Sequence, residues 1–215
     1  DPGAVGPSGL FEKDVVLKVA KKLARRITKE LGSEVLLTRK SDMFVPLEER
    51  TAIANTKDGD LFISIHANSA PVKSANGVET YYLDLADTKR AMQVAALENA
   101  TSTQKISDLQ QILTLVQSSK KAESARLAKY VHNTLVGGLK KNYAKIGDHG
   151  IRKAPFIVLI GAQMPAILAE IAFISNPKEE KRLQSEVYLD LVAEHLAKGI
   201  IRYISLLKSS ASLYK

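Results

Sequence analysis

Three acidic or imidazole side chains stand out by their surroundings. His66 ends the run Leu61-Phe62-Ile63-Ser64-Ile65-His66-Ala67-Asn68, where four of the first five residues are apolar. Such a run predicts a buried strand, and a coordinating group at its carboxyl end lies where α/β sheets place ligands. Glu170 is the one carboxylate inside the apolar run Ala166-Ile167-Leu168-Ala169-Glu170-Ile171-Ala172-Phe173-Ile174. In a buried strand it requires a partner, a metal or a raised pKa; at a strand end it would instead turn to water. Glu12 falls in the first turn of a predicted helix, where the dipole alone accounts for a carboxylate. One His and two Glu so placed suggest a mononuclear metal hydrolase. Zinc held by two His and one Glu keeps a position for water, and a separate Glu takes the water's proton. The set is one ligand short, and a hydrogen-bonded His66 with no chemistry is the competing reading.

The elements that must position these residues follow from periodicity. Val16, Val19, Ala20, Leu23, Ile27 and Leu31 recur at helical spacing over residues 12–31, and Gly32 ends the helix. Residues 35–38 predict a short buried strand, and Pro46 opens a helix that ends near Asn55. Strands are predicted at 61–65 and 77–83, then at 156–160 and 166–174, with Gly161 and Pro165 as punctuation. Asn176-Pro177 leads to a final helix carrying Val187, Leu191, Leu196, Ile200, Ile204 and Leu207. This order predicts an α/β layer fold with a mainly parallel sheet flanked by helices, in a single domain over 1–215. Between the central strands lie more helices than a crossover needs. An Ala-rich stretch from Asp84 and an apolar stripe at Ile106, Leu109, Ile112, Leu113 and Val116 precede a helix over 120–143, and the part at 84–118 reads as a helical insertion. His132, His149 and His195 have structural settings.

The 215 residues carry no cysteine and a net charge of +8. Thiolate metal sites and disulfides are therefore excluded, and any metal must use His and carboxylates. No apolar run approaches the roughly 18 residues of a membrane span. Nine basic residues against two acidic ones between Ser119 and Lys153 suggest a solvated helix face or an anionic polymer partner. No nucleic-acid-binding motif accompanies them, so nucleic acid is not the expected partner.

Six motifs occur in order: Asp1-Pro2-Gly3-Ala4; Glu12-Lys13-Asp14; Leu37-Thr38-Arg39; Leu47-Glu48-Glu49-Arg50 with Ala54-Asn55; Ser64-Ile65-His66-Ala67-Asn68; and Glu170 with Phe173-Ile174-Ser175-Asn176-Pro177. Together they resemble the zinc-dependent N-acetylmuramoyl-L-alanine amidases of the Amidase_3 family, cell-wall hydrolases, over nearly the whole chain. The resemblance implies that Glu12 and His66 bind Zn2+ and that Glu170 is catalytic. The family's first zinc ligand is a His in an Asp-Pro-Gly-His-Gly-Gly motif just before the position of Asp1, so a first strand and a third ligand are expected upstream.

The division-type amidases of Gram-negative bacteria carry a helical insert that blocks the site until a LytM-domain activator displaces it. By that resemblance 84–118 is a regulatory insert, and Glu98 of Glu98-Asn99-Ala100 reaches the zinc. The reaction implied is hydrolysis of the amide between N-acetylmuramic acid and L-alanine of the stem peptide, in the periplasm after export. The rival readings are a metal-free peptidoglycan-binding module, a zinc carboxypeptidase acting on stem peptides, and a basic nucleic-acid-binding domain.

Overall fold

A computed structural model describes residues 2–86, 88–102 and 118–212. Helix α1 spans Glu12–Leu31; it buries Glu12, Val15, Val19, Leu23 and Ile27, a single stripe spaced three or four residues apart. Gly32, at φ 67°, takes the left-handed conformation and bonds back to the Thr28 carbonyl, closing the helix as its sequence predicts. Helix α2 (Leu47–Thr56) follows, then strands β1 (Phe62–Asn68) and β2 (Val78–Leu83). Helix α3 (Lys89–Glu98) runs into a 3-10 turn at Asn99–Thr101. Helix α4 (Ser118–Asn142), strand β3 (Asp148–Ala154), a 3-10 turn (Ile157–Leu159) and strand β4 (Ala166–Phe173) come next. Helices α5 (Pro177–Leu183) and α6 (Glu186–Ser212) complete the described chain.

The four strands form one sheet in the order β1-β4-β2-β3. The β1–β4 and β2–β3 pairs are parallel and the central β4–β2 pair is antiparallel, so the sheet is mixed, with two of its three pairings parallel, as the order of elements predicts. One face packs on α1, α4 and α6 through Val19, Leu127, Val131, Ile167, Leu196 and their neighbours. The other buries Phe62, Tyr81, Leu168 and Phe156 beneath α2, α3 and the turn at Ile157–Leu159. Every β4 residue is buried, which explains its unbroken apolar sequence; a strand covered on both faces has no reason to alternate.

Two expected strands are not formed. Residues 35–38 run as irregular chain, and with residues 61–66 they line a cavity of about 770 Å³ instead of pairing with β1. Leu36 is left 44% exposed. Residues 156–160 are apolar because they are buried, not because they are extended: Leu159 and Ile160 donate to the Phe156 and Ile157 carbonyls in i→i+3 turns. Periodicity does not separate those cases in so short a run. The strand that does precede them, β3, went unforeseen because it is a half-exposed, polar edge strand. The expected stripe at 106–116 lies outside the described residues. His132 bridges Thr80 and Asp148, and His149 hydrogen-bonds the Asn76 carbonyl, in keeping with structural settings.

Candidate active site

The ends of α1, β1 and α3 converge on the face of the sheet that carries α2 and α3. His66, on β1, points its Nδ1 at two carboxylates: Glu12 Oε1 at 3.1 Å and Glu98 Oε2 at 2.7 Å. Its Nε2 lies 3.0 Å from the Ser64 hydroxyl, two residues back on the same side of the strand. Glu12 is fixed from three directions. Its Oε1 also accepts from the Ala67 amide at 3.1 Å, and its Oε2 accepts from the Ala4 amide at 2.8 Å. The loop comes this close because Gly3, at φ 68°, has no side chain; a Cβ there would sit 2.6 Å from Glu12 Oε2.

Glu98 is the last residue of α3, where the helix dipole disfavours a carboxylate; His66 supplies the compensating charge. The helix is held in place along its length. Thr88 caps it through Ala91 N–H at 3.1 Å, and Ala91, Val94 and Ala95 are buried on the apolar face. Asn99 follows, with its carboxamide bound to the backbone of Pro155 and Ile157, and Ser102 Oγ contacts the Glu48 carboxylate.

Glu12, His66 and Glu98 each offer a ligand atom within 4.8 Å of the others, so the three sequence-predicted residues form one cluster able to hold a metal ion. Their chemistry suits a divalent cation: one imidazole and two carboxylates, and no lysine or arginine ion pair neutralises either carboxylate among the described residues. Burial opposes a charged His66, but Glu98 and Glu12 outweigh it and hold the imidazole pKa well above its usual value. Burial likewise works against ionised Glu12, and the hydrogen bond from His66 overcomes it, lowering the Glu12 pKa.

Glu170 lies in register with His66 across the β1–β4 ladder. It is fully buried, and neither carboxylate oxygen has a hydrogen-bond partner among the described residues. Burial, then the nearby Glu98 charge, pushes its pKa well above the ordinary carboxylate range. On its other side Glu170 faces Glu79 in the β4–β2 ladder. Glu79 is also fully buried, but it is paired, with Arg152 Nε at 2.6 Å and Arg90 Nη2 at 3.4 Å. Arg90 lies over the Phe173 ring at 5.6 Å. Glu79 is the residue that sequence reading passed over. Its signal was the same as that of Glu170, a carboxylate inside an apolar strand.

An α/β sheet that gathers an imidazole and two carboxylates beside an unpartnered buried Glu has the layout of a metal-assisted hydrolase. Residues 1–202 match the family model described as N-acetylmuramoyl-L-alanine amidase, Amidase_3, and the chain belongs to that family. It is 36% identical over 220 residues to N-acetylmuramoyl-L-alanine amidase AmiC of Escherichia coli O6:H1, a match that covers 95% of this chain and 50% of the relative. AmiC of Neisseria meningitidis serogroup B is 38% identical, with 95% of this chain and 50% of the relative covered. The chain thus spans about half the length of these relatives. Among solved structures, N-acetylmuramoyl-L-alanine amidase AmiC2 of Nostoc punctiforme superposes with a TM-score of 0.70 at 33% identity, covering 95% of this chain and 91% of that one.

Proposed function

We propose that this chain is a zinc-dependent peptidoglycan amidase that hydrolyses the amide between the lactyl group of N-acetylmuramic acid and L-alanine of the stem peptide. The observation that carries the reading is the clustering of Glu12, His66 and Glu98 beside the unpartnered carboxyl of Glu170. Glu12 and His66 hold the zinc, whose chemistry when bound is to polarise a carbonyl and to acidify water to a pKa of about 7. Ser64 orients the His66 ring through Nε2, and the Ala4 and Ala67 amides orient Glu12. Glu170 takes the proton of the attacking water and returns it to the nitrogen of the departing L-alanine. A carboxyl with a raised pKa suits that second step, since it holds the proton until the amine accepts it.

Glu98 is not a working ligand in this reading. It comes from α3, at the start of the 84–118 insert, and occupies a coordination position that substrate or water needs. The chain is therefore held inactive, and an activator of the LytM-domain type, acting in the periplasm during cell division, draws α3 away. Export, peptidoglycan as partner and the single-domain organisation over 1–215 belong to the same proposal.

Digestion of purified muropeptides by the zinc-loaded Glu98→Ala variant, in which the competing carboxylate is gone, tests it. The expected products are the free glycan and a stem peptide with a new L-alanine amino terminus, resolved by mass spectrometry. Products cut within the stem peptide would replace this reading with the carboxypeptidase one, and binding without cleavage would replace it with the binding module.

A further inference from the structure

Asn99 is 7% exposed and commits both ends of its carboxamide to backbone. Its Nδ2 donates to the Pro155 carbonyl at 2.9 Å, and its Oδ1 accepts from the Ile157 amide at 2.8 Å. The carbonyl and amide lie either side of Phe156, whose φ of −76° and ψ of 120° are extended. A strand offers this same pair of groups to one residue of a parallel neighbour. The turn that follows does not use them; its own bonds run from Leu159 N–H to Phe156 O and from Ile160 N–H to Ile157 O. If α3 leaves, a carbonyl and an amide otherwise covered in the fold lose their partners together. Each such loss costs free energy unless water or a ligand takes over.

We propose that the Pro155 carbonyl and the Ile157 amide are a subsite for the peptide backbone of the substrate's stem, and that Asn99 occupies it as a pseudosubstrate. Spacing supports this assignment. Asn99 directly follows Glu98, so its Cα lies about 3.8 Å from that of the residue in the metal-ligand cluster. In a muramoyl peptide the first peptide unit beyond the scissile amide lies at a similar one-residue remove. Glu98 thus stands in for the reacting end, and the Asn99 carboxamide, one donor beside one acceptor, stands in for the backbone N–H and C=O of the residue that follows it. Recognition through backbone alone tolerates any side chain there and selects for an extended peptide. The inference rests on the plug reading of α3 given above.

The test uses the full chain carrying both Glu98→Ala and Asn99→Ala, which frees the coordination position and the subsite together. Substrates are an N-acetylmuramoyl tripeptide, the same compound N-methylated at the peptide bond after L-alanine, and N-acetylmuramoyl-L-alanine, which has no such bond. The expected result is a KM about tenfold higher for the N-methylated compound, with kcat within about twofold. Ile157→Pro removes the donor from the protein side, and the extended Phe156 already has the geometry that a residue before proline requires. It should raise KM for the tripeptide about tenfold and leave N-acetylmuramoyl-L-alanine unaffected. Equal KM for the methylated and unmethylated compounds overturns the subsite whatever the protein variants do. Unchanged basal turnover in both Asn99→Ala and Glu98→Ala overturns the plug and the pseudosubstrate role, while the N-methyl comparison on basal turnover still reads the subsite by itself.

Discussion

His66 and Glu170 face each other at one level of the parallel β1–β4 ladder, the first on the strand that carries the imidazole of the cluster, the second on the strand buried at every residue. The relationship separates two jobs by environment. His66 is flanked by two carboxylates that raise its pKa, whereas Glu170, one strand away, has no hydrogen-bond partner among the described residues. In the proposed mechanism, neighbouring positions on one sheet face thus supply a metal ligand and a proton carrier without either neutralising the other through a direct hydrogen bond.

Glu170→Gln keeps the volume of the side chain and removes its proton affinity. Turnover on muropeptides should fall about 10³-fold, within the range for loss of a general acid–base group, while KM, zinc content and thermal midpoint stay close to those of the parent. A variant with near-parental kcat would remove Glu170 from the mechanism.

In the proposed mechanism, Glu98→Ala leaves Glu12 and His66 to hold zinc and takes away the carboxylate that competes with substrate. Basal kcat/KM should rise about tenfold, since a shift of about 1.4 kcal/mol in the closed–open balance has that effect. Zinc stoichiometry, read by atomic absorption after dialysis, should be unchanged. A loss of zinc together with a loss of activity would instead make Glu98 a resident ligand.

Much of this site was legible because apolar runs make polar exceptions visible. His66 and Glu170 stand out as polar exceptions in the apolar runs that form β1 and β4, whereas Glu12, which the first turn of α1 accounts for by itself, and Glu98 are singled out by the resemblance of the motifs. Their convergence was not legible: the separation of 54 positions from Glu12 to His66 is closed by the packing of α1 beside β1 and the approach of Gly3, which no local pattern encodes. The Glu79–Arg152 pair was hidden for a related reason. Arg152 lies on β3, whose Asp148–Ala154 sequence is too polar to announce a strand, so its partner had no visible counter-charge. The apolar residues 156–160 erred the other way, since burial shaped their composition while the backbone turned.

The two arginines on Glu79 should differ in what their loss costs. Arg152→Ala leaves Glu79, which is fully buried, without its 2.6 Å partner, and should destabilise the fold by about 2 kcal/mol, discounted for an Arg152 side chain that is 29% exposed. Arg90→Ala removes a longer contact from a side chain that is 42% exposed and should cost under about 1 kcal/mol. Urea unfolding midpoints separate the two, and equal losses would show that Glu79 depends on both.

Zinc removal should be reversible. Because Glu12, His66 and Glu170 are held by backbone amides, a hydroxyl and strand register, the fold does not need the ion to keep its layers. A chelator should abolish turnover while far-ultraviolet circular dichroism changes little, and added zinc should restore the rate. Unfolding on chelation would make the metal structural.

Asp148 gives the fold a pH dependence at a distance from the cluster. The hydrogen bond from His132, at 2.9 Å, is the largest influence on its carboxyl and lowers the pKa; Lys140 at 3.4 Å and the Gly150 amide act in the same direction. The other nitrogen of His132 lies 3.0 Å from the Thr80 hydroxyl, so the contact ties α4 to both β2 and the start of β3. A carboxyl whose folded pKa lies below its unfolded value of about 3.9 stabilises the fold above that value. The contribution is lost as pH falls through the folded pKa, because both states are then protonated. Since 43% of the Asp148 side-chain surface is exposed, its size should be no more than about 1 kcal/mol. Asp148→Asn should therefore be less stable than the parent between pH 5 and 7, at about that magnitude, and the difference should shrink towards zero below about pH 3. Urea titrations at each pH measure it, and a gap that persists undiminished in acid would assign the loss to packing instead of charge.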